Sequence, residues 1–389
     1  MIILFILNEL PFPKHRNGVA QINYEILVRA PYNITIDIIV ADVINLDLEA
    51  SLRQLAPQIR DITYLGLASD RRYRVGNLIT GALFGRNFFE LPEISQRLSN
   101  ASSKYDVTYV APLMSFFDFY RTSPVFLNAV DSFAVFNKNA YKNSGKFINY
   151  IKHKLYDKYE SNILKSVALT SFVSDSDLNY VRERNPHLLL RNIPLGVDTD
   201  YFYFDSTSRE SHSLLFTGNF SYSPNAEAAL YLAIEIFPLI RAVRPTSVLY
   251  IIGRNPPIEL VGLPGVITTG FVEDIREYFW RCTVYVCPLR TGSGVKYKIL
   301  EAMASGIPII SSTLGIDGIE GMQCDVNYLH ADNVNDFVRQ SLMLFDSIEI
   351  RTQISKCARD LVTTRTGWKE IVVQYYEAMS SLRNAKFRF

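Results

Sequence analysis

Residues 290–308 decide the fold, and they read Arg290-Thr-Gly-Ser-Gly-Val-Lys-Tyr-Lys-Ile-Leu-Glu301-Ala-Met-Ala-Ser-Gly-Ile-Pro308. An apolar, β-branched run precedes them at Thr283–Val286, and a second run, Pro308–Ser311, follows. Between the two runs, a glycine-rich turn leads into a predicted helix over Val295–Ala304, which Gly306 ends. A strand, a helix and a second strand in this order are typical of a parallel sheet.

The same alternation of short apolar runs and longer helical stretches extends along the chain. We predict strands at Ile2–Leu7, Ile34–Val40, Val107–Ala111, Val125–Val130, Ala168–Val173, Leu188–Ile193, Ser213–Thr217, Val248–Ile252, Val266–Thr269, Thr283–Val286 and Pro308–Ser311. The main intervening helices are predicted at Ala20–Arg29, Lys146–Lys165, Asn225–Arg241, Asp274–Trp280 and Val295–Ala304. Because the strands are apolar throughout rather than alternating, helices should cover both faces of each sheet.

The alternation restarts near Gly196, which predicts two doubly wound α/β domains. We place them at residues 1–195 and 196–389, with a last helix from about Trp368 to Leu382 that could pack on either domain. In open parallel sheets, ligands bind beyond the carboxyl ends of the strands. Two such domains facing each other would form a cleft lined by residues that follow strands.

Composition and charge exclude several classes of protein. The 389 residues carry a net charge of +1 and are 48% hydrophobic, which indicates a globular chain and argues against a nucleic-acid binder. The five histidines are scattered and the four cysteines fit no zinc pattern, so we predict no metal site and unpaired core thiols. The apolar start Ile2–Leu7 is too short for a signal peptide, and no run is long enough to span a membrane. We therefore expect a cytoplasmic protein.

Residues 290–308 also carry chemistry that suits a phosphorylated ligand. Gly292 and Gly294 allow a close approach of the backbone to an anion, and the start of the following helix presents N–H groups with positive dipole character. Lys298 and Glu301 are three residues apart and therefore share a helix face. The cation can neutralise a phosphate while the carboxylate accepts hydrogen bonds from ribose hydroxyls. A plain β–α turn with a surface ion pair is the alternative that spacing alone leaves open.

The same segment resembles the donor-binding motif of glycosyltransferase family 4, a family of retaining GT-B enzymes. It is most similar to the bacterial branch with Arg-x-Gly-Ser-Gly followed by Lys-x-x-Glu-Ala-Met-Ala. Further segments resemble the family in order along the chain, namely Val130–Ser132, Val173–Asp175, Asn192–Asp198, Phe216–Asn225, Ile252–Pro256 and Gly270–Ile275. The resemblance implies a GT-B fold, in which two Rossmann-like domains face each other across a cleft. It also implies sugar transfer from a nucleotide-diphosphate sugar, with no cofactor or metal ion.

The resemblance implies roles for individual residues of the second, donor-binding domain. Arg254 and Lys298 would stabilise the leaving phosphate, Glu301 would bind the donor ribose, and Val272 would meet the base through its backbone. The remaining donor-binding candidates are Gly218, Asn219, Gly292, Ser293, Gly294, Val295 and Lys296. Most members of the family have a glutamate where this chain has Ser293, which leaves the donor sugar open. For Arg254, capping of the turn before Pro256 is the alternative.

The first, acceptor-binding domain offers fewer candidates. The segment Pro11–Gly18 resembles the family's glycine loop, with Asn17 at the usual second glycine, and would border the donor phosphate and the acceptor. A connector that ends in the Asn17-Gly18 turn is the alternative. Asp131 follows a predicted strand and would contact the acceptor, or else belong to a solvated helix cap with Ser132. No histidine follows Val107–Ala111, where many members have one, so we assign no protein general base.

These candidates predict sugar transfer to a glycan or lipid-linked glycan in cell-envelope or exopolysaccharide biosynthesis. A non-catalytic relative that binds a nucleotide sugar is the alternative, whereas a dehydrogenase lacks its Gly-x-Gly-x-x-Gly after the first strand. Two basic stretches remain, Arg71–Arg74 before the apolar Leu78–Gly85, and Lys138–Lys165 with seven lysines. Either could touch anionic lipid headgroups at the inner face of the membrane, or be a solvated surface.

Overall fold

The structure is a computed structural model that describes residues 1–12, 18–41, 44–66, 105–113, 123–205, 209–292 and 294–383. The predicted site residues Asn17 and Ser293, and the segments Arg71–Arg74 and Leu78–Gly85, lie outside these ranges. Contacts between residues divide the chain into two compact units. Unit 1 is Met1–Leu195 with Lys369–Phe389, and unit 2 is Gly196–Trp368.

Unit 1 is built on a parallel sheet, which in the described part of the chain has seven strands in the order β3-β2-β1-β4-β5-β6-β7. The strands are β1 (Ile2–Leu7), β2 (Thr35–Val40), β3 (Ile59–Tyr64), β4 (Val107–Ala111), β5 (Val125–Val130), β6 (Leu169–Phe172) and β7 (Leu190–Asn192). The helices between them are α1 (Gly18–Val28), α2 (Leu46–Leu55), α3 (Phe133–Ser144), α4 (Phe147–Leu164) and α5 (Asp175–Arg184). Every residue of β4 and β5 is buried, as expected for a sheet covered on both faces.

Unit 2 repeats this architecture with a six-stranded parallel sheet in the order β10-β9-β8-β11-β12-β13, counted over the described residues. The strands are β8 (Ser213–Thr217), β9 (Val248–Ile252), β10 (Val266–Gly270), β11 (Val284–Cys287), β12 (Ile309–Ser311) and β13 (Leu329–His330). The α-helices are α6 (Ser223–Tyr231), α7 (Phe237–Val243), α8 (Arg276–Arg281), α9 (Tyr297–Ser305), α10 (Thr313–Ile316), α11 (Val334–Asp346) and α12 (Ile348–Arg365). A π-helical turn, Leu232–Ile236, joins α6 to α7.

The last helix, α13 (Trp368–Arg383), begins at the end of unit 2 and continues in unit 1. Asn128 of β5 donates a side-chain hydrogen bond to the Tyr375 hydroxyl at 3.2 Å, and the Tyr376 hydroxyl donates to the carbonyl of Ile26 at 2.8 Å. Both tyrosines are buried. From Lys369 onward, the helix therefore supplies part of the core of unit 1.

Most predicted elements are confirmed, several of them with identical bounds, but two strands were missed. β3 carries Arg60 and Asp61, and its side chains are partly exposed because it lies at the edge of the sheet. Buried strands are recognised in the sequence by a run of apolar residues. β3 has no such run because two of its residues are charged, so it was not predicted. β13 has only two residues and offers no run at all.

The prediction of four core thiols is only half correct. All four cysteines are free, and Cys282 and Cys287 are buried around β11. Cys324 is exposed and Cys357 is partly exposed. Cys324 belongs to the loop that precedes β13, and Cys357 lies on the partly solvated face of α12, so the residue type alone did not indicate burial.

Candidate active site

The strand order of unit 2 reverses between β8 and β11, which are neighbours in the sheet. Connections leave two such strands toward opposite faces, so a crevice opens at their carboxyl ends. Gly218 and Asn219 directly follow β8, and the segment 288–296 connects β11 to α9. The predicted donor-binding residues Gly218, Asn219, Gly292 and Gly294 therefore lie at the switch point of this sheet.

Two glycine turns meet backbone to backbone at this edge. The Gly218 N–H donates to the carbonyl of Ile252 at 3.0 Å, and the Gly253 N–H donates to the carbonyl of Gly270 at 2.9 Å. Gly253 has a φ of 137°, and a Cβ atom there would overlap the carbonyl of Gly218. Only glycine fits at position 253, which leaves the ends of β8 and β9 without side-chain bulk.

The turn after β11 is glycine-rich, as predicted. Gly292 has a φ of 112° and Gly294 a φ of 74°, values that L side chains rarely adopt. Thr291 anchors the start of this turn, because its hydroxyl donates to the Glu227 carboxylate of α6 at 2.9 Å. The turn thus combines an unhindered backbone with a fixed starting point.

Helix α9 begins two residues later than the sequence predicted, at Tyr297 rather than Val295. Its N-cap residue is Lys296, which has extended backbone angles and makes no side-chain capping hydrogen bond. Lys298 is therefore in the first turn and Glu301 one turn further on. The glycines and Val295 do not extend the helix because φ is positive at both glycines, so these residues form the approach to the helix start.

Lys298 reaches back from α9 to the first turn of α6 and to β8. Its ammonium donates to Asn225 Oδ1 at 2.5 Å and lies 4.7 Å from the centre of the Phe216 ring. Asn225 in turn donates from Nδ2 to the carbonyl of Asn219 at 2.9 Å. Burial lowers the pKa of Lys298 to about 8, and the neighbouring Lys296 charge acts in the same direction.

Glu301 lies on the same face of α9 as Lys298. Burial raises the pKa of the Glu301 carboxyl to about 7, although the Lys298 ammonium partly offsets this effect. Burial thus disfavours the charged form of both groups. Such a pair can bind a diphosphate and sugar hydroxyls. These groups would replace the hydration that the two side chains lose on burial.

Arg254 and Val272 follow β9 and β10 at the same edge. The Arg254 guanidinium is exposed and lies 4.7 Å from the centre of the Phe271 ring. The Arg254 carbonyl accepts a hydrogen bond from the Phe220 N–H at 2.9 Å, which joins this turn to the one after β8. Val272 is half-buried next to Phe271 in sequence. The structure thus brings Arg254 to the edge that carries Gly218 and Asn219.

In unit 1, Asp131 follows β5 after Val130, whose φ is 68°. The next residue, Ser132, caps α3 by accepting a hydrogen bond from the Val135 N–H, so the cap that we considered is present, but the Ser132 side chain is buried rather than solvated. Ser132 donates from Oγ to Glu160 at 2.7 Å. Gly18 is the first residue of α1.

Three residues at or beside these sites were not predicted from the sequence, namely Asn225, Phe216 and Glu160. The first two lie inside the stretch Phe216–Asn225, so the family resemblance was the available signal for them. Glu160 is buried, and burial raises the pKa of its carboxyl to about 8. Its contact with Ser132 joins residues that are 28 positions apart, and no spacing rule in the sequence indicates it.

The described ranges contain neither a cluster of metal-ligating side chains nor a membrane-spanning helix. There, no group of three or more His, Cys, Asp or Glu side chains is placed to hold a metal ion. No helix in that part of the chain is both long and apolar enough to cross a bilayer.

One family model matches the chain. Residues 211–347 match the model described as Glycosyl transferases group 1, and this range includes the glycine turn, Lys298 and Glu301. No curated protein matches the sequence at a significant level.

Several solved structures resemble the chain over nearly its whole length. HepE from Anabaena, in complex with UDP, has 13% identity and a TM-score of 0.67, with 98% of this chain and 100% of that chain covered. Sucrose-phosphate synthase from Thermosynechococcus elongatus has 15% identity and a TM-score of 0.68, with 98% of each chain covered. WaaG, a glycosyltransferase involved in lipopolysaccharide biosynthesis, has 12% identity and a TM-score of 0.66, with 99% of this chain and 100% of that chain covered.

The fold is GT-B. This confirms the fold class predicted from the alternation of strands and helices and from the family resemblance. The match over residues 211–347 and the GT-B fold together support a glycosyltransferase.

Proposed function

We propose that the protein is a retaining glycosyltransferase that moves a sugar from a nucleotide-diphosphate sugar to a glycan or lipid-linked glycan. The observation that carries the proposal is the position of Lys298 and Glu301. Both lie on one face of α9, directly after a glycine turn at the switch point of a parallel sheet. A HepE structure contains UDP-glucose, which supports a donor of this chemical class.

In this proposal, the residues around the glycine turn hold the donor. The backbone from Gly292 to Lys296 faces the diphosphate, where positive φ angles at Gly292 and Gly294 keep the approach open. Gly218 and Asn219 lie beside it after β8, and Val272 meets the base through its backbone. Glu301 accepts hydrogen bonds from the donor ribose.

Charge on the leaving diphosphate is neutralised by Lys298 and Arg254 rather than by a metal ion. An ammonium held at 2.5 Å from Asn225 is already oriented, so it needs no reorganisation as charge develops. The sequence contains two Asp-x-Asp triplets, at residues 175–177 and 198–200, and three of their four aspartates accept hydrogen bonds within unit 1 or unit 2: Asp175 from Asn192, Asp177 from Ser132 and Asp198 from Tyr201. The leaving phosphate takes the acceptor proton in this scheme.

The acceptor is proposed to meet unit 1 at Asp131 and Gly18, at the inner face of the membrane. WaaG acts in lipopolysaccharide biosynthesis, which supports a cell-envelope glycan as the acceptor class. A non-catalytic relative would bind the nucleotide sugar without turnover.

A donor screen followed by product analysis tests the proposal. A nucleoside diphosphate that binds unit 2 should raise the melting temperature, since it binds only the folded state. The sugar nucleotide so identified should then be consumed in the presence of envelope glycans, in EDTA, with the anomeric configuration retained in the product's NMR spectrum. Binding without turnover on any acceptor would favour the non-catalytic alternative. Inversion, or loss of activity in EDTA with rescue by manganese, would contradict the proposed mechanism.

A further inference from the structure

The tip of the α3–α4 hairpin, residues 141–154, exposes large apolar side chains to solvent. Phe147 is 67% exposed and Ile148 54%, and they are joined by the partly exposed Tyr141, Tyr150 and Ile151. Phe147, Tyr150 and Ile151 follow helical spacing and share one side of α4. Five such side chains within one short segment form a patch rather than the single exposed apolar residues that are normal on a protein surface.

The same tip is cationic and carries no acidic residue. The exposed Lys142, Lys146, Lys152 and Lys154 surround the apolar side chains, and the first acidic residue after them is Asp157. Lys154 lies on the apolar side itself, with its ammonium 5.8 Å from the centre of the Tyr150 ring. The tip therefore offers apolar surface for insertion and positive charge for attraction to anions.

The tip is held in shape by its own contacts. Gly145 ends α3 with a φ of 64°, and its N–H donates to the carbonyl of Tyr141 at 2.8 Å. The Ser144 hydroxyl accepts from Asn149 at 3.0 Å. The rings of Phe147 and Tyr150 stack at 5.8 Å between centroids, and those of Tyr141 and Tyr150 lie 5.4 Å apart. A preformed surface loses little conformational entropy when it binds.

We propose that the hairpin tip is a docking surface for an anionic lipid membrane. The lysines bind lipid phosphates and draw the tip to the surface, and Phe147, Ile148 and Ile151 enter the boundary between headgroups and acyl chains. The charge of the tip favours an anionic membrane over a second copy of the chain. If two tips docked on each other, their lysines would come together with no carboxylate to pair with them. The proposal rests on the surface of unit 1 and does not depend on sugar transfer.

Co-sedimentation of the full chain with vesicles tests the proposal. We expect binding to phosphatidylcholine vesicles that contain phosphatidylglycerol, weakened by high salt, and little binding to phosphatidylcholine alone. Lys152→Glu should weaken binding by at least about fivefold, since each lysine near such a surface contributes about that factor. Phe147→Ala with Ile151→Ala should weaken it by at least about tenfold, because both side chains lose burial in the membrane.

Matched variants elsewhere on the surface serve as controls. Lys356→Glu changes the net charge equally, and Ile258→Ala with Ile348→Ala removes apolar side chains that are also well exposed. These variants should bind vesicles like the wild type. The proposal is overturned if the wild-type chain does not sediment with anionic vesicles, or if tip and control variants bind equally. It is also overturned if sedimentation velocity shows a dimer that Phe147→Ala with Ile151→Ala dissociates. Calorimetric binding of the donor nucleotide reports separately on the proposed function.

Discussion

At the scale of single residues, burial shifts the pKa values of two residues of α9 in opposite directions. It lowers the pKa of Lys298 to about 8 and raises the pKa of Glu301 to about 7, so burial disfavours the charged form of both groups. The sequence predicted their shared helix face from a spacing of three residues. It could not predict the bond from Lys298 to Asn225, because that bond spans 73 positions and requires β8 and β11 to be neighbours.

Glu301→Ala should weaken donor binding by at least about tenfold. Two vicinal ribose hydroxyls supply two charge-assisted hydrogen bonds, each worth about 1.5–3 kcal/mol, and a loss of about 1.4 kcal/mol is already tenfold. Glu301→Gln keeps the shape and loses the charge, so its affinity should fall between those of the wild type and Glu301→Ala. Isothermal calorimetry with the donor nucleotide measures both.

Glu349→Ala is the control for this pair of variants, because it removes an exposed carboxylate of α12. Its donor affinity should equal that of the wild type. If Glu301→Ala also binds the donor normally and changes only stability, the Lys298–Glu301 pair is an ordinary ion pair of the helix and the proposed ribose contact does not exist.

Donor affinity should depend on pH as a bell-shaped curve. Below a pH of about 7, Glu301 takes up a proton and no longer accepts two hydrogen bonds as a carboxylate. Above a pH of about 8, Lys298 loses its proton and with it the attraction for the diphosphate. Calorimetry with UDP-glucose across this range is suitable, since its diphosphate does not titrate there. Glu301→Gln should abolish the acidic limb alone, and a flat profile in the wild type would refute the assignment of both groups.

At the scale of elements, the site is made by turns that follow neighbouring strands. The sequence indicated these strands because parallel strands buried on both faces are apolar throughout. It placed the start of α9 two residues early because Val295 resembles an ordinary first helical residue, whereas the extended backbone of Lys296 makes Tyr297 the first helical residue. The close approach of Gly253 to Gly218 could not be predicted at all, since it depends on how β8 and β9 end side by side.

Gly253→Ala should separate the turns after β8 and β9 and damage the donor site. The new Cβ atom would overlap the Gly218 carbonyl, so the backbone must move, at a cost of about 1–3 kcal/mol in stability. Gly262→Ala is the control, because its φ of 81° is also positive but nothing lies within 4 Å of the new atom. Thermal unfolding and donor titration should show a larger loss of stability for Gly253→Ala and a loss of affinity in that variant only. Equal effects would mean that backbone strain, not the contact with Gly218, explains the result.

At the scale of the whole molecule, two sheets of the same architecture follow each other, and the sequence predicted both from the restart of the pattern near Gly196. It left the place of the last helix open, because an amphipathic helix can cover either sheet. The structure decides this through particular side chains: Tyr375 and Tyr376 are buried in unit 1 against Asn128 and Ile26.

A chain that ends after Trp368 should lose the folded state of unit 1 while unit 2 keeps its own. The truncation exposes the buried residues that Tyr375 and Tyr376 cover, including Asn128, whose hydrogen bond to Tyr375 is lost. Differential scanning calorimetry should then show one unfolding transition fewer, and proteolysis should degrade the N-terminal half first. Tyr375→Phe, which keeps the ring, should cost only about 1–2 kcal/mol in the full chain. Unchanged unfolding of the truncated chain would show that α13 is dispensable.

The division of unit 1 between the two ends of the chain also sets an order of events during synthesis. Unit 2 is one continuous segment, so all of its residues are synthesised before Lys369 is added. Most of unit 1 is synthesised before unit 2, but it lacks Tyr375 and Tyr376 until unit 2 has been synthesised. The core of unit 1 is therefore completed only after all of unit 2 has been synthesised.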